Sequence, residues 1–200
     1  MKRAPLTHDK VFSNEDFAEA YARQHRPMAE KFGREISKKL SARGFRKGRL
    51  IDVGCGPGAL DLAISEKLSD CEILGVDLSD PLLRLAGQAA EAAGLGKRVR
   101  FEKADVQQLP FEAGSFDAAI NLNMAHLVAE PVRMLDEIER VLAPGGIAFI
   151  ADLRRSWLGL LESEIRSGLT LSEARELFGR SKLRPGRFTW GLIWWRFETI

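Results

Sequence analysis

Asp52, Gly54, Gly56 and Gly58, in the run Asp52-Val53-Gly54-Cys55-Gly56-Pro57-Gly58, have types and a spacing that could hold a ligand. Gly54 permits a tight strand-to-helix turn, Gly56 lets the main chain approach a ligand with no Cβ in the way, and Gly58 allows close packing as a helix begins. With Ala59 the spacing also satisfies the dinucleotide pattern G-x-G-x-x-G/A, and Asp77 lies where a ribose-binding acid would fall. The turn by itself therefore fits more than one ligand. Asp52, a carboxylate at its entrance, suits a ligand bringing an ammonium group better than one bringing a pyrophosphate. Asp105, an acceptor-only group once ionised, could receive the exocyclic amino group of adenine. Each acid also has an ordinary alternative, Asp52 bonded to backbone and Asp105 capping a turn.

The elements that must position these residues alternate. Ser13-Asn14-Glu15-Asp16 reads as a helix start with Ser13 as cap, and the helix is expected to break near Pro27, with a second helical stretch from Met28 to Leu40. Arg49 to Val53 is a strand, Ala59 to Leu68 a helix, and Glu72 to Asp77 a strand. Asp80-Pro81 supplies a cap and a first-turn proline for a helix through Ala93. Val99 to Phe101 and Phe116 to Ile120 are strands, Pro131 to Leu142 is an amphipathic helix ended by Pro144-Gly145-Gly146, and Ile147 to Ile150 is a fifth strand. This alternation predicts an α/β, doubly wound, Rossmann-like sheet that is mostly parallel. Thr170-Leu171-Ser172-Glu173 reads as a capping box for a helix to about Arg180, and Phe188 to Ile200 as two strands folded at Gly191. That hairpin would bring the sheet to seven strands, the last ones antiparallel.

A length of 200 residues, 45% hydrophobic and 29% charged, fits one folded domain. The expected division is a helical lid over 1–47, a cofactor-binding core over 48–155, and a helix with hairpin over 156–200. Met1 to Val11 carries no apolar core of a signal peptide and no run approaches a membrane span, so a cytoplasmic location is the expectation. Cys55 and Cys71 have no partners at metal-ligand spacing, so neither a metal nor a disulfide framework is expected. Net charge is +2, yet the first fifty positions hold 13 Lys/Arg against 6 Asp/Glu. A solvated basic helix accounts for that excess, and without an aromatic-interleaved basic patch nucleic acid is an unfavoured partner.

In five ordered segments the chain resembles the class I S-adenosylmethionine-dependent methyltransferases, most closely their small-molecule branch that includes the ubiquinone and menaquinone enzymes. The segments are the glycine turn, Gly75-Val76-Asp77-Leu78-Ser79, Ala104-Asp105-Val106-Gln107-Gln108-Leu109-Pro110-Phe111, Ser115-Phe116-Asp117, and Arg140-Val141-Leu142-Ala143-Pro144-Gly145-Gly146. The resemblance implies S-adenosylmethionine as cofactor, S-adenosylhomocysteine as product, and a small-molecule methyl acceptor. It implies that Gly54 and Gly56, with Cys55 between them, line the methionine portion, that Asp77 binds the ribose hydroxyls, that Leu78 and Val106 sandwich the adenine, and that Asp105 meets its amino group. Asn121, expected as the first residue after the fourth strand, would face the methionine end.

Such a cofactor leaves the protein mainly to align a nucleophile and exclude water, with a base optional. His126 is the candidate base. Tyr21, on the amino-terminal helix, and Arg154 and Arg155, directly after the fifth strand, are candidate substrate contacts, the arginines for a carboxylate or phosphate. Trp190, Trp194, Trp195, Phe188 and Phe197 read as core. Two other functions stay open on the residues, an NAD(P)-dependent oxidoreductase and a non-catalytic S-adenosylmethionine-binding protein. Saturable binding of S-adenosylhomocysteine separates the first of these, and methyl transfer the second.

Overall fold

A computed structural model describes residues 14–160 and 163–200. Strands β1 (Lys47–Val53), β2 (Asp70–Asp77), β3 (Val99–Lys103), β4 (Phe116–Leu122) and β5 (Leu142–Leu153) are parallel, while β7 (Trp194–Thr199) runs antiparallel to β5 and to β6 (Gly186–Trp190). The order across the sheet is β3-β2-β1-β4-β5-β7-β6. The strand order thus reverses between β1 and β4, and the carboxyl ends of those two strands are where a sheet of this kind takes a ligand. The carboxyl-terminal half of β1, Leu50 to Val53, is buried on both faces, as parallel strands covered by helices must be.

On one face α1 (Glu15–Ala42) and α2 (Ala59–Ser65) cover an apolar layer including Phe32, Ile36, Leu40, Leu60, Ile64, Ile120 and Phe149. On the other, α4 (Pro131–Val141) and α6 (Leu171–Arg180) cover one that includes Met134, Leu135, Ile138, Leu177 and Phe178. Helix α3 (Asp80–Ala92) completes the first βαβαβ half, and a 3-10 turn (Trp157–Leu160) and α5 (Ser163–Ser167) lead from β5 to α6. These last two carry no periodic apolar pattern and were not expected from the sequence.

Helix α1 does not break at Pro27 but runs through it for 28 residues. Pro27 sits on the exposed face, where the carbonyl left without its amide donor meets water, and burial of Phe32, Ile36 and Leu40 outweighs the lost bond. The carboxyl-terminal half of the expected lid therefore belongs to the core. The cap is Asn14, whose side chain accepts from Phe17 N at 2.9 Å; Ser13 lies outside the described residues. Likewise Ser79, not Asp80, caps α3 by accepting from Leu82 N. The capping box at Thr170 and Glu173 is present in full. Among the aromatics, Trp195 and Phe197 are buried with Phe178 as expected, but Trp190 is 51% exposed beneath the Arg175 guanidinium.

Close approach of α1 to α2 depends on Gly33, where a Cβ would stand 2.7 Å from Leu60 O and 2.8 Å from Ala63 Cβ. Gly33→Ala should gain about 1 kcal/mol of helix propensity and lose about 1–3 kcal/mol to overpacking. Because the nearest atom is backbone and cannot rotate away, the clash wins, and thermal denaturation should show a net loss on the order of 1 kcal/mol.

Candidate functional site

The glycine turn hangs from the end of β2. Gly54 N and Cys55 N both donate to Val76 O, at 2.8 and 3.0 Å. Gly56 N donates to Asp77 Oδ2 at 3.0 Å, and the other oxygen of Asp77 accepts from Ser79 N at 2.9 Å. One carboxylate thereby ties the turn to the start of α3. Gly56 has φ +54°, and a Cβ there would meet nothing within 4 Å, so its missing side chain leaves room on the open side of the turn. At Gly58 a Cβ would strike Phe101 at 2.6 Å, which is the tight helix–strand packing expected of the third glycine.

Asp52, the penultimate residue of β1, is almost fully buried, and its Oδ1 has no hydrogen-bond partner. Burial, together with the nearby Asp77 charge, pushes its carboxyl up to about 7. Asp77 is also raised by burial, against the lowering effect of the Ser79, Gly56 and Leu78 amides. The Cys55 thiol, buried beside Asp61, Asp77 and Asp52, is raised well above its ordinary value and stays a thiol. Asp61, on the first turn of α2, is completely buried and neither of its oxygens meets a donor. Among the described residues, then, the turn is ringed by acidic side chains without a basic one bonded to them.

Leu78 is 56% exposed beside this ring, available to cover a flat ligand face. Val106, its expected counterpart, is 3% exposed and packs in the core with Leu109. Asp105 uses Oδ1 to accept from Gln107 N at 2.8 Å and Gln107 Nε2 at 3.1 Å, so it does form the turn that was its alternative reading. Asn121 lies inside β4, not after it, because that strand extends to Leu122. Its Nδ2 donates to Val53 O at 2.6 Å, bracing the entrance of the turn, while its Oδ1 is buried without a partner.

His126 is 5% exposed. Its backbone N donates to Asp152 Oδ2 at 2.9 Å and its ring Nδ1 lies 2.5 Å from Asp152 Oδ1, which pins the segment after β4 to β5. Tyr21 stacks on His25 with ring centroids 4.1 Å apart, on the half of α1 whose first residue, Glu15, pairs with Arg84 of α3. Arg154 is taken up by the β6–β7 hairpin, donating to Gly191 O at 2.6 Å. Arg155 pairs through Nη2 with Glu173, but its Nε and Nη1 are buried and have no acceptor.

Sequence reasoning missed three side chains. Asp61 and Asp152 are carboxylates inside apolar runs, Ala59 to Ile64 and Ile150 to Leu153, and that interruption is the signal that could have found them. Met124 lies over Gly54, where a Cβ would meet its Cγ at 2.3 Å, and it follows Asn123 with φ +61°. Asparagine tolerates that left-handed conformation, a weak signal on its own.

A Rossmann-like sheet with a glycine turn ringed by buried acids defines an α/β protein of the ligand-binding kind. Residues 51–150 match the Methyltransferase domain family, and the chain belongs to that family, the class I S-adenosylmethionine-dependent methyltransferases. It is 41% identical over 98 residues to the demethylmenaquinone methyltransferase of Thermus thermophilus, covering 49% of this chain and 44% of that protein. It is 30% identical over 121 residues to the ubiquinone biosynthesis O-methyltransferase of Psychrobacter cryohalolentis, covering 60% and 46%. The chain thus spans less than half the length of these relatives. A solved S-adenosyl-L-methionine-dependent methyltransferase fold from Methanococcus maripaludis superposes with a TM-score of 0.80 at 18% identity, covering 98% of this chain and 96% of that one. The [4+2]-cyclase SpnF superposes with a TM-score of 0.61 at 28% identity, covering 74% and 56%.

The site fits the family's cofactor. Asp52 Oδ1, buried and without a donor, can receive an ammonium, and the open side of Gly56 leaves room for the ligand's approach. The same acids oppose a pyrophosphate, which disfavours NAD.

Proposed function

We propose that this chain binds S-adenosylmethionine at the glycine turn and transfers its methyl group to a small-molecule acceptor. The observation that carries this reading is the ring of Asp52, Asp61 and Asp77 about the turn without a bonded basic side chain. It suits a ligand bearing a sulfonium and an ammonium, and no phosphate. When bound, the cofactor supplies a methyl group already activated by its sulfonium.

The chain's own residues bind and orient. Asp52 receives the ammonium, Asp77 the ribose hydroxyls, Leu78 covers the adenine and Asp105 meets its amino group. Asn121 holds the turn through Val53, and Met124 closes over Gly54 to exclude water. His126, tied to Asp152, acts by fixing the segment after β4 rather than by carrying a proton. The amino-terminal half of α1, with Tyr21, covers the carboxyl edge of the sheet as a lid. No described helix is long and apolar enough to cross a membrane, and a cytoplasmic site of action accords with this reading.

For the acceptor, support comes from Arg155, whose two unpartnered donors lie just beyond the carboxyl end of β5, where a carboxylate or phosphate could engage them. The test is transfer of isotopically labelled methyl groups from S-adenosylmethionine to a panel of small phenols, quinols and carboxylic acids. Because a cyclase shares this fold, transfer must be shown and not only binding. Arg155→Gln should raise KM about tenfold for anionic acceptors alone and leave the cofactor's KM where it was. Equal KM increases for neutral and anionic acceptors would remove Arg155 from the acceptor site.

A further inference from the structure

Asp52 at the end of the buried run of β1 and Asp61 on α2 are close neighbours, Asp52 2% exposed and Asp61 completely buried; burial raises both carboxyl groups, and the hydrogen bond between them lowers Asp52 while it raises Asp61. Asp52 Oδ1 and both oxygens of Asp61 are buried without a donor, and a proton on Asp61 shared with Asp52 is the arrangement that satisfies them. Among the described residues no basic side chain pairs with either. The layer around the pair is apolar, with Phe32 and Ile36 from α1, Leu60 and Ile64 from α2, and Ile120 from β4. The other titratable groups acting on the pair or its neighbours are Asp77 of β2, which is acidic and raises Asp52, and the Cys55 thiol of the turn. Two ionised carboxylates packed together in such a layer with no cation would be prohibitively costly. Such a pair titrates as a unit.

We propose that Asp61 is a positioning residue of the cofactor site: it keeps a proton against Asp52, and binding of the cofactor's ammonium group expels one proton from the pair to solvent. This rests on the cofactor reading above and goes beyond it, since Asp61 lies outside the turn. The balance is simple. The doubly protonated pair plus the ammonium-bearing ligand gives ionised Asp52 in contact with the ammonium, Asp61 still protonated and donating to Asp52, and one free proton. Keeping Asp61 neutral also spares the cofactor's own carboxylate a repulsive neighbour.

The linkage has a definite sign. Where the free protein binds a proton that the complex does not, affinity rises with pH. With Asp52 titrating about 7, the dissociation constant should fall about tenfold per pH unit on the acid side of 7 and level off above it. An amino group of ordinary pKa, about 7.7–8.0, stays protonated on the acid side, so the ligand's own titration does not contribute there.

The experiment is calorimetric titration of the whole chain with S-adenosylhomocysteine at about pH 6 and about pH 7, in buffers of low and high ionisation enthalpy, which reads protons released per ligand bound. The expected result is release approaching one proton at the lower pH and about half at the higher. 5′-Methylthioadenosine, which lacks the amino acid tail, should bind without release. Asp61→Asn supplies Asp52 with the donor that a protonated Asp61 would, so it should keep both the release and the wild-type affinity. Asp61→Ala keeps a buried Asp52 without that donor, so it should retain release while binding more weakly. Saturable binding with no proton release, or Asp61→Asn binding as weakly as Asp61→Ala, would overturn this inference and leave the cofactor reading standing. No saturable binding at either pH would overturn the cofactor reading itself, and with it the role of Asp61.

Discussion

Asp77→Ala should weaken binding of S-adenosylhomocysteine by about 2–3 kcal/mol, or roughly 30- to 150-fold, as expected for loss of charge-assisted hydrogen bonds accepted by a buried carboxylate. Two contributions combine in this effect. The first is direct loss of the ribose hydroxyls' acceptor. The second is the turn itself, since Asp77 accepts from both Gly56 N and Ser79 N and its removal leaves these amides to water. Asp77 is raised by burial, so the ionised form that binds best is depleted on acidification and affinity should also fall there. Calorimetry on the variant, with a thermal melt alongside, separates affinity from folding. Unchanged affinity would remove Asp77 from the ligand site.

Asp152→Ala should cost about 3 kcal/mol of stability, because it removes the acceptor of three buried groups, the backbone N and ring Nδ1 of His126 and the backbone N of Leu153. For a chain of 200 residues that corresponds to a fall in Tm of about 6–12 °C. His126→Gln tests the same bond from its other end. If the pair is structural, both variants lower Tm and keep substantial kcat per folded molecule at permissive temperature. If His126 instead carries a proton in the reaction, His126→Gln abolishes kcat at little cost in Tm, and the structural assignment is wrong.

The alternation of strands and helices, the antiparallel hairpin and the capping box at Thr170 were legible because each rests on local periodicity or a local hydrogen-bonding signature. Pro27 misled because its local penalty is real, yet what decides the helix is the distant packing of Phe32 and Ile36 on the sheet. Asn121 falls inside β4 because the strand runs two residues further than any turn signal marks, and there its Nδ2 braces Val53 O. The positions of Asp52 and Asp77 could be read from the glycine spacing. What could not be read was that Asp61, nine residues beyond Asp52 in sequence, meets it across the space between a strand and a helix. Nor could periodicity reveal that Val106 turns into the core while Leu78 stays exposed.

The central claim is that the acid-lined turn takes a sulfonium-type nucleoside and not a dinucleotide. Parallel calorimetric titrations of the unmodified chain with S-adenosylhomocysteine and with NAD at neutral pH test it most directly. The account predicts saturable one-to-one binding of S-adenosylhomocysteine and no saturable binding of NAD; saturable binding of NAD without binding of S-adenosylhomocysteine would contradict it.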